Sequence, residues 1–251
     1  MSFNLTKIGR PIARIEGGKL DKNKVYLSTE EQDNEYIKEF SNLELNNDSK
    51  FQQIPSDNNR EILYIVGASG SGKTTYATNY IKELRKKHKD IPLYIFSTLH
   101  DDYTELEPNR IKLDTTLIND PIKAEDLANS VCIFDDVDCI SDKNIKKSVW
   151  FTLTQTLEIG RHFNIYVCMT NHIACAAEST KKILNESYSI TFFPQSGSSG
   201  NLMTLLKNHC GLTKNDIEKI KKLKTRWCTI YKHYPQCIMS ERNLYLLHNS
   251  E

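Results

Sequence analysis

Residues 62–75 read ILYIVGASGSGKTT, and no other stretch limits the fold as tightly. The apolar, β-branched run 62–66 has the pattern of a buried strand, and GASGSGKT at 67–74 then meets every fixed position of G-x-x-x-x-G-K-[ST]. Such a loop is a phosphate cradle. Gly67, Gly70 and Gly72 keep Cβ atoms out of the way, so that backbone N–H groups of 67–75, those of Ala68, Ser69, Ser71 and Thr75 included, turn toward a polyphosphate. A helix follows at once and adds the positive end of its dipole. Its expected span runs from Thr74 to 87, with Tyr76, Ala77, Tyr80, Ile81 and Leu84 on one face. Lys73 is expected to reach the β- and γ-phosphates, and the Thr74 hydroxyl to hold Mg²⁺. A flexible Gly/Ser linker would have neither the preceding strand nor the following amphipathic helix.

Some sixty residues on, VCIFDD at 131–136 is an apolar run ending in two carboxylates, the Walker B pattern. Asp135 is the expected Mg²⁺-side carboxylate. Asp136 is the candidate general base for an attacking water, although Asp is one methylene shorter than the Glu more usual there.

Between and beyond these motifs the pattern is α/β. Residues 92–96 read as a second buried strand, 109–113 as a short strand and 122–128 as a helix. Ser141 with Asp142 supplies the cap of a helix over 143–158, in which Ile145, Val149, Leu153 and Leu157 recur every four residues, and Gly160 ends it. The strand 164–169 runs into Thr170, Asn171 and His172. That order belongs to NTPases with an additional strand between the two Walker strands, where a polar group at the strand tip touches the γ-phosphate.

Residues 1–59 carry short β-like runs at 11–15 and 25–27, a polar, acidic middle at 30–44 and turn-rich stretches at 46–49 and 55–57. They read as a small β-rich N-terminal extension on an ATPase domain of residues 60–251. In the last third, Thr180 reads as the cap of a helix over 181–185 and 189–193 as a strand. The stretch 194–200 reads as a Gly/Ser loop, and Thr213 with Asp216 as a helix start. Lys219, Lys221, Lys222, Lys224 and Arg226 form the densest basic run, suited either to DNA phosphates or to a solvated helix face. Runs at 227–231, 235–239 and 244–247 read as closing strands.

At 251 residues the chain suits one α/β domain with an appendage. Lys and Arg total 33 against 32 Asp and Glu, so a nucleic-acid contact must come from a local patch or from the inner surface of an oligomer. Seven cysteines without a C-x-x-C pair point to a reducing compartment and lack the paired spacing of zinc ligands. No apolar run approaches the roughly 20 residues of a membrane span, and residues 1–20 lack a signal-peptide core. An intracellular, soluble protein without a membrane span is expected.

The segments 67–75, IFDDVD at 133–138, and LEIGRHFNI at 157–165 followed by Thr170 and Asn171 resemble the poxvirus-type DNA-packaging ATPases of large cytoplasmic DNA viruses, members of the FtsK/HerA superfamily. The resemblance covers about residues 61–191. It implies a RecA/FtsK-like sheet flanked by helices, ATP with Mg²⁺ as ligands, and a homo-oligomeric ring acting on double-stranded DNA in the host cytoplasm, with capsid or portal-vertex proteins as partners. Carried over by position, it makes Arg161 the finger inserted into the neighbouring subunit's site and Asn171 the sensor, where the superfamily usually has Gln; His172 is a substitute.

The expected function is therefore an ATP-hydrolysing motor that moves viral DNA into a capsid. A helicase-like or initiator-type ATPase, a slowly hydrolysing nucleotide switch and a small-molecule kinase are the alternatives.

Overall fold

Short strands open the chain: β1 (Ser2–Asn4), β2 (Arg10–Glu16), β3 (Lys24–Ser28), β4 (Asn42–Glu44) and β5 (Lys50–Gln53). β1, β3, β2 and β5 lie side by side in that order, each pair antiparallel. A computed structural model describes residues 1–32, 40–56, 60–175, 177–196 and 199–247. The chain divides into two units, residues 60–187 and residues 1–59 with 188–251.

In the unit 60–187 the strands are β6 (Ile62–Val66), β7 (Leu93–Ser97), β8 (Asn109–Arg110), β9 (Val131–Asp135) and β10 (Tyr166–Asn171). They are all parallel, in the spatial order β6, β10, β9, β7, β8. The helices α1 (Lys73–Lys87), α2 (Thr116–Asn119) and α3 (Lys143–Glu158) lie between successive strands, and α4 (Ala177–Glu186) follows β10. A parallel sheet between helices is covered on both faces. Every residue of β6, β9 and β10 is accordingly buried, and this is why those strands read as unbroken apolar runs. β10 lies between the two Walker strands, as the order of motifs predicted.

α1 buries the predicted face of Tyr76, Ala77, Tyr80, Ile81 and Leu84. α3 has its predicted bounds and cap, Asp142 accepting from the N–H of Asn144 at 2.8 Å and of Ile145 at 3.0 Å. Its far end is closed by a residue the pattern did not flag. The Arg60 guanidinium donates to the carbonyls of Thr156, Leu157 and Ile165. A Cβ on Gly160 would stand 2.2 Å from Thr156 O, so the chain can reverse there only through glycine.

Some local expectations are corrected. The helix expected over 122–128 is a single 3-10 turn, Ala124–Leu127, held by Asp126 accepting from the Lys123 N–H at 2.8 Å. The helix expected to begin at Thr180 begins at Ala177, leaving Thr180 buried inside it. β10 ends at Asn171 rather than at 169.

The second unit receives the C-terminal strands β11 (Ser189–Phe192), β12 (Cys228–Tyr231), β13 (Cys237–Ser240) and β14 (Asn243–Leu246), with α5 (Ser199–Thr204) and α6 (Lys214–Lys222) between β11 and β12. β11, β12, β13, β14 and β4 form an antiparallel series. Residues 188–251, assigned from the sequence to the ATPase domain, thus group with residues 1–59. The cause is one shared core, in which Phe3, Ile12, Ile15, Val25, Leu27 and Phe51 pack with Tyr231, Cys237, Met239 and Leu244. Backbone bonds reinforce it, Phe51 N–H to Glu241 O at 2.7 Å and Leu45 N–H to Arg242 O at 2.9 Å. Of the expected loop 194–200, residues 197–198 lie outside those described, as do 33–39 of the acidic middle and 57–59; Gly200 is in α5. Thr213 and Asp216 form the expected cap of α6.

Among the described residues no helix is long and apolar enough to cross a membrane. The parallel sheet flanked by helices, with a phosphate loop at the carboxyl end of β6, is a RecA/FtsK-like P-loop NTPase fold.

Candidate nucleotide site

Three apolar runs end in a polar residue, and the sheet brings these ends into line. Ser97 of β7 pairs with Asp135 of β9, which pairs with Thr170 of β10. Residues directly opposite in a parallel pair share a face. Asp135, 2% exposed, therefore accepts three hydroxyl hydrogen bonds: Tyr103 at 2.9 Å and Thr170 at 2.7 Å on Oδ1, and Ser97 at 3.2 Å on Oδ2. The three donors fix the direction of this carboxylate.

Asp136 then leaves the strand in the left-handed region, at φ 43°. Non-glycine residues held there carry about 1–3 kcal/mol of strain and concentrate at functional sites. The Thr170 Oγ1 accepts the Asp136 N–H at 3.1 Å and stands 3.3 Å from Asp136 Oδ1, so Thr170 holds both acids. The turn sends the Asp136 carboxylate toward α1, where its Oδ2 is 3.5 Å from Lys73 Nζ. Lys73 also donates to Gly67 O at 3.1 Å and lies 3.3 Å from His172 Nδ1. His172 Nε2 in turn is 3.0 Å from Asp136 Oδ2.

The loop itself suits a triphosphate. Gly70 and Gly72 have φ of 75° and 104°, and no atom stands within 4 Å of a Cβ built on Gly70. Ser71 Oγ is buried with no hydrogen-bond partner, an orphan that an anionic oxygen would satisfy. Mg²⁺ keeps several waters and takes the rest of its shell from phosphates and one or two protein oxygens. Thr74 and Asp135 would supply those protein oxygens; among the described residues no group of three or more His, Cys, Asp or Glu could hold a metal ion. The donor set fits Mg²⁺ with ATP.

The structure thus gathers Gly67 to Thr75, Asp135 and Asp136 at one edge of the sheet. Asn171 is placed differently. Being next to Thr170 on a strand, it faces the other side, fully buried, and its amide donates to the Tyr64 hydroxyl at 3.1 Å. The side chain beside Lys73 is His172. Arg161 is exposed in the turn before β10, at the amino end of the parallel strands, whereas the phosphate loop leaves their carboxyl end. It does not meet the site of its own chain.

Sequence reasoning gave no role to Ser97, Tyr103 or Thr170, although it noted Thr170 at the strand tip. Two of them had a signal, a hydroxyl closing an apolar run; Tyr103, in a loop, had none.

Charge is crowded at this edge. Burial, and then the neighbouring Asp135, raise the Asp102 carboxyl above its ordinary range. Burial raises the Tyr103 hydroxyl well above its own, and Asp135 adds to the effect, so the phenol stays protonated and donates.

The profile of a family described as Nephrocystin 3, N-terminal, matches residues 43–112, which contain the phosphate loop. The uncharacterized protein V3 of Sputnik virophage is 37% identical over 246 residues, covering 96% of this chain and 97% of that protein. The pCW3 conjugation coupling protein TcpA, solved as a monomer with ATPγS, is 13% identical, covers 93% of this chain and 77% of its own, and has a TM-score of 0.53. The genome packaging NTPase B204 of Sulfolobus turreted icosahedral virus 2, solved with sulfate, is 15% identical, covering 77% of this chain and all of its own at a TM-score of 0.49.

Proposed function

Since this chain belongs to the same family as protein V3 of Sputnik virophage, we propose that it is a virally encoded, ATP-hydrolysing motor that drives double-stranded DNA into a capsid. The observation that carries the reading is the convergence of Lys73, Asp135 and Asp136 at the mouth of the phosphate loop, with Arg161 at the opposite edge of the sheet.

Backbone N–H groups of 67–75 and the Lys73 ammonium bind the phosphates, and Lys73 neutralises charge on the γ-phosphoryl as it transfers. Thr74 and Asp135 would hold Mg²⁺, which when bound would offset phosphate charge as the γ-phosphoryl transfers. Asp136 belongs to the group that activates water. The remaining cation is Arg161 of the next subunit, since a chain cannot bring its own across the sheet. A cation supplied in this way is worth about 10³- to 10⁵-fold in rate. Hydrolysis then requires a ring, and a ring with an inward-facing basic patch suits duplex DNA despite the balanced net charge of +1. The resemblance of segments 133–138 and 157–171 to packaging ATPases supports DNA as cargo and a capsid or portal vertex as the docking partner.

The test is ATP turnover with and without duplex DNA, together with mass in solution in the presence of ATPγS. Stimulation by duplex and a multi-subunit assembly are expected. A monomer whose turnover no duplex alters would overturn the motor. The engagement of Asp136 by Lys73 favours one second reading, a slowly hydrolysing switch. In that case Asp136→Ala would leave turnover nearly unchanged.

A further inference from the structure

His172 makes two contacts that together define its tautomer. Nδ1 stands 3.3 Å from the Lys73 ammonium, which can only donate, so Nδ1 presents its lone pair. The ring hydrogen is then on Nε2, 3.0 Å from Asp136 Oδ2, and points at that carboxylate. Asp136 has little left to offer a water. Its Oδ2 is shared by His172 and Lys73, its Oδ1 faces Thr170, and its side chain is 17% exposed against 38% for His172. The imidazole is the outer group of the pair, and it overcomes the short reach of an Asp at this position.

We propose that His172 Nδ1 is the proton acceptor for the attacking water and that Asp136 is its positioning residue. This assignment rests on the ATP-hydrolase reading. Before nucleotide binds, Lys73 covers Nδ1; once the phosphates draw Lys73 away, the lone pair is uncovered on the γ-phosphate side. Water oxygen bonds to the γ-phosphorus as its proton passes to Nδ1. The bond from phosphorus to the β–γ bridging oxygen breaks, and its electron pair leaves with ADP. The imidazolium returns the proton to released phosphate or solvent. Around the ring the charged groups are Lys73 from α1 and Asp136 and Asp138 from the segment after β9. Orientation of an imidazole by a carboxylate on its far nitrogen is the same device that holds a catalytic histidine in other hydrolases.

The experiment uses the full chain. ¹⁵N spectra of the His172 ring without nucleotide should show the Nε2–H tautomer, and Mg·ATPγS should shift Nδ1 as Lys73 withdraws. His172→Gln should bind ATPγS within about threefold of wild type and lose single-turnover hydrolysis by about 10²- to 10⁴-fold; His172→Asn repeats the measurement in a second background. An Nδ1–H tautomer in the wild-type protein would overturn the assignment. So would either variant turning ATP over within threefold of wild type, which would leave Asp136 as the direct acceptor and the hydrolase reading intact. A wild-type chain that binds ATPγS but never hydrolyses ATP overturns the hydrolase reading itself, and this assignment with it.

Discussion

The Tyr103 hydroxyl donates to Asp135 Oδ1 at 2.9 Å, across a separation of 32 residues in the chain. Tyr103 is 3% exposed and sits at φ 60° in the loop after β7, which Arg110 anchors by donating to the carbonyls of Leu99 and Asp102. A loop is thereby made part of the edge that aims Asp135, the carboxylate proposed to face Mg²⁺.

Tyr103→Phe keeps the ring and deletes that donor. Hydrogen bonds to charged groups contribute about 1.5–3 kcal/mol. The variant should fold, and ATPγS binding should need about 3- to 10-fold more Mg²⁺ for half-saturation, read by titrating MgCl₂ at fixed nucleotide. An unchanged Mg²⁺ dependence would remove Tyr103 from the site.

Asp102 supplies a pH prediction. Its carboxyl titrates above the ordinary value of 3.8 because of burial and then Asp135. The folded chain therefore holds this proton more tightly than the unfolded one, and as pH rises through the raised value the fold loses stability. Asp102→Asn should melt higher than wild type at pH 7.5 without nucleotide, and the gain should close as pH falls toward 3.8. A gain that persists unchanged into acid would contradict the assigned cause.

Lys73→Ala and Arg161→Ala should fail differently. The first should abolish ATPγS binding; the second should retain it within a few-fold and lose turnover by about 10³-fold. Because the two residues lie at opposite edges of the sheet, mixed rings should regain part of the activity, an intact Arg161 from one subunit serving an intact loop in its neighbour. Absence of recovery in mixtures shown to co-assemble would exclude action across an interface.

Arg60→Met should destabilise without touching nucleotide affinity. The guanidinium serves two carbonyls in the last turn of α3 and that of Ile165 just before β10, and burial holds its pKa down to about 10. Buried acceptors left unpaired cost about 1–3 kcal/mol each. A fall in Tm of about 6 °C or more follows for a chain of this size, read by calorimetry, with ATPγS affinity as the control. Weakened binding at unchanged Tm would place Arg60 in the site instead.

The parallel half of the fold was legible because its strands are buried on both faces. ILYIV, VCIFD and the 3.6-residue periodicity of 143–158 announce their elements locally, and the phosphate loop states its chemistry in eight residues. The C-terminal strands were legible as strands but not in their allegiance. Nothing near Tyr231 or Met239 says that Phe3 and Ile15 will pack on them, since that depends on contacts more than two hundred residues apart.

Sequence alone located the phosphate loop and pointed to the ligand class proposed for it, because a glycine-rich turn between strand and helix is a local backbone requirement. Tertiary structure decided what each acid and its neighbours can do. Register across parallel strands aligned Ser97, Asp135 and Thr170, the alternation of a strand turned Asn171 inward to Tyr64, and the left-handed turn at Asp136 placed His172 beside Lys73. Those are relations between distant segments, fixed by how strands align rather than by any residue's own preference.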